Sequence, residues 1–227
     1  MTVVSAYHKG GKTTFMLCSF VEQLAQGHKC LFATFADLGK EDLKSRMLRY
    51  LCGWGKRPDL DSVAREFDNA QYQIEAEFAG FVYDASTLET GDDFETFTGW
   101  FKSEHSKSPF GCVFLDYAQK ITSADRRAIG DLAMAQTVSR KICRLAAQTG
   151  VAFVVGSQIT EGNQREGRKA MTKGSRVWEE DAGWVLRIER GVENERMVEV
   201  AYSRFGKQGK KIPFRFDEKR LAFVEVR

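Results

Sequence analysis

Hydrophobic and polar positions follow two rhythms along this chain. Short apolar runs at 3–6, 29–35, 81–84 and 112–116 are each followed by a stretch with apolar residues every three to four positions, at 13–26, 40–53, 93–105 and 129–149, and a fifth apolar run follows at 151–156. The runs read as strands and the longer stretches as amphipathic helices. Strand and helix alternating in this way predict a parallel sheet covered by helices. Segments 112–115 and 151–155 are apolar at nearly every position, so they are expected at the centre, buried on both faces. After Gly156 the rhythm changes to short runs at 184–189, 197–202, 212–216 and 221–226, separated by Gly, Asn and Lys. These predict antiparallel strands extending the sheet. The expected fold class is α/β, with a mainly parallel central sheet flanked by helices and C-terminal antiparallel strands.

Between the first strand and the first helix stands Ala6-Tyr7-His8-Lys9-Gly10-Gly11-Lys12-Thr13-Thr14. A strand, a glycine-bearing turn ending in Gly-Lys-Thr, and a helix make a phosphate-binding loop. The backbone amides from His8 and Lys9 through Gly10, Gly11, Lys12, Thr13 and Thr14 would surround phosphate oxygens. Lys12 would reach the terminal phosphates and the Thr13 hydroxyl would ligate Mg²⁺. The helix that follows would aim its positive end at the same anion. Ala6 stands where the usual pattern has its first glycine. His8 contributes through its N–H, not through its imidazole.

A length of 227 residues suits one α/β domain, and the 43% hydrophobic and 29% charged composition is that of a soluble globular protein. No run approaches the roughly 20 apolar residues of a membrane span, and no secretory signal opens the chain, so a cytoplasmic location is expected. Five cysteines, at 18, 30, 52, 112 and 143, form no CxxC pair and are expected as buried thiols. Net charge is +3, which places any nucleic-acid contact in local clusters. Arg165, Arg168, Lys169, Lys173 and Arg176 stand against only Glu161 and Glu166, and Arg204, Lys207, Lys210 and Lys211 form a second cluster. Either cluster alone reads first as a solvated face, and only second as a nucleic-acid contact.

Phosphoryl transfer rests on positioning and charge neutralisation, so further parts are expected around the loop. Val113-Phe114-Leu115-Asp116 ends a buried strand in a carboxylate, which makes Asp116 the metal-binding candidate. Asp37, just beyond the strand at 29–35, is the candidate base or water-orienting group, or else the N-cap of the helix near Lys40. Gln158, after Gly156-Ser157, is placed to sense the terminal phosphate, and Arg204 is a candidate arginine finger acting across a subunit boundary.

Taken together, these motifs resemble the RecA-type ATPase core, and specifically the C-terminal motor domain of DnaB-family replicative helicases, over almost the whole chain. The similarity runs through residues 6–15, then Phe35-Ala36-Asp37-Leu38, where that family carries Ser-Leu-Glu-Met. It continues in Asp116-Tyr117-Ala118-Gln119, Ser157-Gln158-Ile159, Glu180-Asp181-Ala182, and Arg204 with Gly206-Lys207-Gln208-Gly209. Asp37 replaces a glutamate, and Tyr202 stands in place of a lysine near the finger. The resemblance implies an ATP hydrolase with Mg²⁺, a ring of usually six subunits, and single-stranded DNA gripped by central loops. Residues 159–175, with Arg165, Arg168, Lys169 and Lys173, would form one loop, and 121–130, with Arg126 and Arg127, a second. A loader or primase partner is implied too, although this chain begins at the first core strand, without the family's N-terminal primase-interacting domain and linker helix. Two other functions fit the same residues: a RecA-like ATPase of recombination, repair or regulation that does not unwind, and a non-catalytic nucleotide-binding oligomer.

Overall fold

The structure, a computed structural model, describes residues 1–35, 39–52, 68–69, 72, 82–85, 93–124, 130–159 and 177–226. Six strands, β1 (Thr2–Ala6), β2 (Cys30–Thr34), β3 (Val82–Asp84), β4 (Cys112–Asp116), β5 (Ala152–Gln158) and β6 (Trp184–Arg190), run parallel in the order β3-β2-β4-β5-β1-β6. Beyond β6 the sheet continues through β7 (Glu195–Ser203), β8 (Lys211–Asp217) and β9 (Ala222–Glu225), each antiparallel to the one before. The expected central strands β4 and β5 do lie inside, with β5 between β4 and β1.

One expectation about strand direction is corrected. The rhythm after Gly156 predicts antiparallel pairing for all four late strands, yet β6 pairs parallel with β1, from Thr2 opposite Trp184 to Ala6 opposite Ile188. A parallel neighbour needs a crossover connection, which the chain between Gln158 and Trp184 is long enough to supply. Nothing in the residues of a single strand encodes its direction.

The pleat sorts consecutive apolar residues onto opposite faces. Val3, Leu31, Val113 and Phe153 face one core, and Val4, Phe32 and Phe114 the other. The first core is covered by α3 (Phe94–Lys107), α4 (Asp131–Thr149) and the short α5 (Val177–Asp181). In α3 the stripe Phe94, Phe97, Phe101 is buried, and Asp93 caps the helix by accepting the Thr96 amide at 2.6 Å. The second core lies under α1 (Lys12–Ala25) and α2 (Lys40–Cys52), through Met16, Leu17, Phe20, Val21, Leu43 and Met47. It closes on the β8–β9 hairpin, where the Phe223 ring meets Phe15, Phe214 and Phe216 edge-on at 5.6, 6.0 and 5.8 Å. Cys18, Cys30, Cys112 and Cys143 are free thiols. Cys18 and Cys30 are buried as expected, Cys112 and Cys143 are partly buried, and the side chain of Cys52 lies outside the described residues. Among the described residues no helix is long and apolar enough to cross a membrane.

Candidate active site

Strand β1 carries the chain to the edge of the sheet where the parallel strands end, and residues 7–11 turn it into α1. The turn closes through the Gly10 amide donating to the Tyr7 carbonyl at 2.9 Å. Both glycines are required. A Cβ on Gly10 would lie 2.9 Å from the Ala6 Cβ and from the Tyr7 carbonyl oxygen, and Gly11 has φ of 92° with the Phe223 ring 2.8 Å from where its Cβ would be. Gly11 caps α1 without any side-chain hydrogen bond. The amides of Lys12, Thr13 and Thr14 therefore open the helix without an acceptor inside it, at its positive end, which suits an anion.

Asp116, at the end of β4, is 1% exposed. Its Oδ2 accepts a hydrogen bond from the Thr13 hydroxyl at 2.7 Å. Its Oδ1 is buried without a hydrogen-bond partner and lies 3.7 Å from Lys12 Nζ, close enough for an ion pair but too far for a hydrogen bond. Lys12 Nζ also sits 4.1 Å from the centre of the Tyr117 ring. Burial holds the Lys12 ammonium below the usual lysine range, and the charge of Asp116 opposes that only in part. The cation is thus short of negative charge, and the buried carboxylate oxygen is short of a positive partner.

Those two deficits fit Mg²⁺ and a phosphate chain. Mg²⁺ takes one or two protein oxygens and completes its shell with water and phosphate. Thr13 and Asp116 supply that pair, and among the described residues no group of three His, Cys, Asp or Glu forms an all-protein cage. The residues open onto a cavity of about 410 Å³, lined by residues 7–14, Asp116, Tyr117 and Gln158, together with Arg46, Phe216 and Leu221. Gly156 leaves room at its base: a Cβ there would lie 2.9 Å from Met16 Sδ, 3.0 Å from Asp116 Oδ1 and 3.1 Å from Lys12 Cε.

The structure thus brings Lys9 to Thr14, His8, Asp116 and Gln158 together. Gln119, on the turn after Asp116, donates to Ser157 Oγ at 2.7 Å and accepts the Gln158 amide at 3.1 Å, so the ends of β4 and β5 are clasped side by side. Arg204 stands elsewhere. It follows Ser203, which pairs with Trp184 at the start of β6, and Trp184 pairs with Thr2 at the start of β1. The guanidinium therefore lies at the opposite edge of the sheet from its own phosphate loop, exposed, donating to the Glu180 carbonyl at 3.3 Å. Tyr202 is half-buried and packs on the first core. Asp37, Arg165, Arg168, Lys169 and Lys173 lie outside the described residues, as do Arg126 and Arg127.

Several site residues escaped the sequence. Arg46 reaches the cavity from α2, one helical turn from the buried Leu43, and no site role was expected of it. Phe216 and Leu221 come from the β8–β9 hairpin, and Arg190 hydrogen-bonds the Lys9 carbonyl from the end of β6. These contacts join opposite ends of the chain, with no local signal.

No family model matches the sequence, and no curated protein sequence matches it. Solved structures do match. One of them, described as the ATPase domain of its protein, superposes with a TM-score of 0.83 at 18% identity, over 100% of this chain and 84% of that one. A DnaB-like replicative helicase, described with its interactions with primase, gives a TM-score of 0.83 at 17% identity, and this chain spans 57% of its length. A KaiC-like protein of Pyrococcus horikoshii gives 0.65 at 18% identity, over 100% of this chain and 88% of that one. The fold is therefore the RecA-like P-loop ATPase fold that these structures share.

Proposed function

We propose that this chain is an ATP-driven motor of the replicative-helicase type, which hydrolyses ATP at the interface between subunits and moves along single-stranded DNA. The observation that carries the reading is the arrangement of Thr13, Lys12 and the orphaned Asp116 oxygen at the mouth of the phosphate loop. The amides of residues 11–14 hold the phosphates, the Gly10 amide being spent on the Tyr7 carbonyl, and Lys12 neutralises the terminal ones as charge moves toward the leaving oxygen. Thr13 and Asp116 would hold Mg²⁺, which when bound would neutralise part of the phosphate charge. Gln158, clasped by Gln119, reports the presence of the last phosphate to the chain that follows it, residues 159–175. Asp37 orients the attacking water.

The place of Arg204 supports action between copies. It cannot reach its own loop across the sheet, and it sits beside Phe205, 76% exposed, and Trp184, 37% exposed. An arginine and two aromatic side chains at one turn suit a contact with a second copy. The resemblance of the motifs to replicative helicases implies a ring and a loader or primase partner, and the likeness to a DnaB-like helicase described with its interactions with primase supports the primase partner. Arg165, Arg168, Lys169 and Lys173 are the DNA contacts. A second reading, an ATPase that does not separate strands, is favoured by Tyr202, which packs on the core and supplies no cation beside Arg204. A forked duplex distinguishes the two. ATP-dependent release of one strand supports the helicase, and DNA-stimulated hydrolysis without release selects the second reading.

A further inference from the structure

On the face of the molecule covered by α3 and α4, these two helices flank an open groove of about 470 Å³, sharing no residue with the phosphate-loop cavity. Its floor is apolar, formed by the buried Phe94 and Leu145. One wall is fixed: Glu95 accepts from the Ser123 hydroxyl at 2.8 Å, from the Ala124 amide at 3.0 Å, and from Lys141. Lys141 is therefore already neutralised. The two cations at the rim, Lys102 from α3 and Arg144 from α4, are exposed, and neither is paired with an acid among the described residues. Between them Gly99 leaves open space, since a Cβ there would meet nothing within 4 Å.

We infer that this groove is a binding site for a small organic anion with an apolar body, the charged group between Lys102 and Arg144 and the body on Phe94 and Leu145. The volume lies in the range of small-molecule sites, and an apolar floor with few polar groups at the rim is their usual construction. The two unpaired cations set the sign of the ligand. Its length argues against a partner helix. The lining residues of α3 run from position 94 to 102, about 12 Å at 1.5 Å per residue, or about two turns of contact for a docked helix. The site is independent of the proposed motor function.

The test is a fluorescence titration of the full chain with 8-anilinonaphthalene-1-sulfonate, an aromatic anion, competed with phenyl phosphate. The expected result is one saturable site, displaced by phenyl phosphate, weakened about tenfold by Lys102→Ala and by Arg144→Ala, and abolished by Gly99→Leu. That last variant fills the groove while improving the helix, so its loss of binding is not a loss of fold. Binding unchanged in Gly99→Leu overturns the inference. So does displacement by ATP, or loss of binding in Lys12→Ala, since either puts the probe in the phosphate-loop cavity. Displacement by a short acidic helical peptide at lower concentration than phenyl phosphate overturns it in favour of a protein-docking surface.

Discussion

Replacing Gly156 by alanine puts one methyl group into the centre of the site. Gly156 lies on β5, between β4 and β1, and the new Cβ would fall 2.9 Å from Met16 Sδ, 3.0 Å from Asp116 Oδ1 and 3.1 Å from Lys12 Cε. Ordinary contacts of these kinds are about 3.5 to 4.0 Å, so each neighbour must yield by several tenths of an ångström or more. Met16 and Lys12 are flexible and will give way before the sheet does. Overpacking of this kind costs about 1–3 kcal/mol, and the narrower unfolded ensemble of alanine offsets about 0.4–1 kcal/mol. A net loss of about 1–2 kcal/mol leaves the protein folded. Activity should suffer more, because the displaced groups are the ones that neutralise phosphate charge, and an ångström of misplacement costs about 100-fold in rate. Urea unfolding and steady-state ATP turnover are measured together, with Gly99→Ala as control. There a Cβ meets nothing within 4 Å, and a helical alanine should stabilise by about 0.5–1 kcal/mol with turnover unchanged. Gly156→Ala protein with wild-type stability and turnover would refute the placement of Lys12 and Asp116 around β5.

Arg204→Ala should lower turnover about 1000-fold or more while nucleotide binding holds. Mixing it with Lys12→Ala should restore activity, because one mixed interface keeps both residues; no restoration argues against action between copies. Burial pushes the Glu95 carboxyl up, but hydrogen bonds from Lys141, the Ala124 amide and Ser123 outweigh it and hold the group below its ordinary value of 4.5. The stabilisation is therefore present above about 4.5 and lost as pH falls through the folded value. The stability gap between wild type and Glu95→Gln should shrink from about pH 7 to about pH 3, and a constant gap would contradict it. Replacing Arg168 and Lys169 together should flatten the salt dependence of single-stranded DNA binding by about 1.4 in log–log slope. An unchanged slope removes both from the DNA path.

What the sequence made legible was local. Gly10-Gly11-Lys12-Thr13 names its own turn, because only glycine fits beside Ala6 and Phe223, and Asp116 is conspicuous as a charge ending an apolar strand. The alternation of strands and helices was equally open, since each element shows its period within its own residues. Contacts between distant elements were hidden. The direction of β6 depends on a crossover and not on Trp184–Arg190 themselves. Phe216, Leu221 and Arg190 reach the site through pairings set by the whole sheet. The Gln119 clasp joins two strand ends that were each visible, but their adjacency needed β4 and β5 to be neighbours.

The decisive measurement is Mg²⁺-dependent ATP hydrolysis as a function of protein concentration, with and without single-stranded DNA, using Lys12→Ala as the blank. Turnover that rises per subunit with concentration, increases with DNA and vanishes in Lys12→Ala is the expected result. Turnover retained in Lys12→Ala would remove the phosphate loop from the chemistry. Activity per subunit that is constant with concentration and indifferent to DNA would contradict a motor assembled between copies.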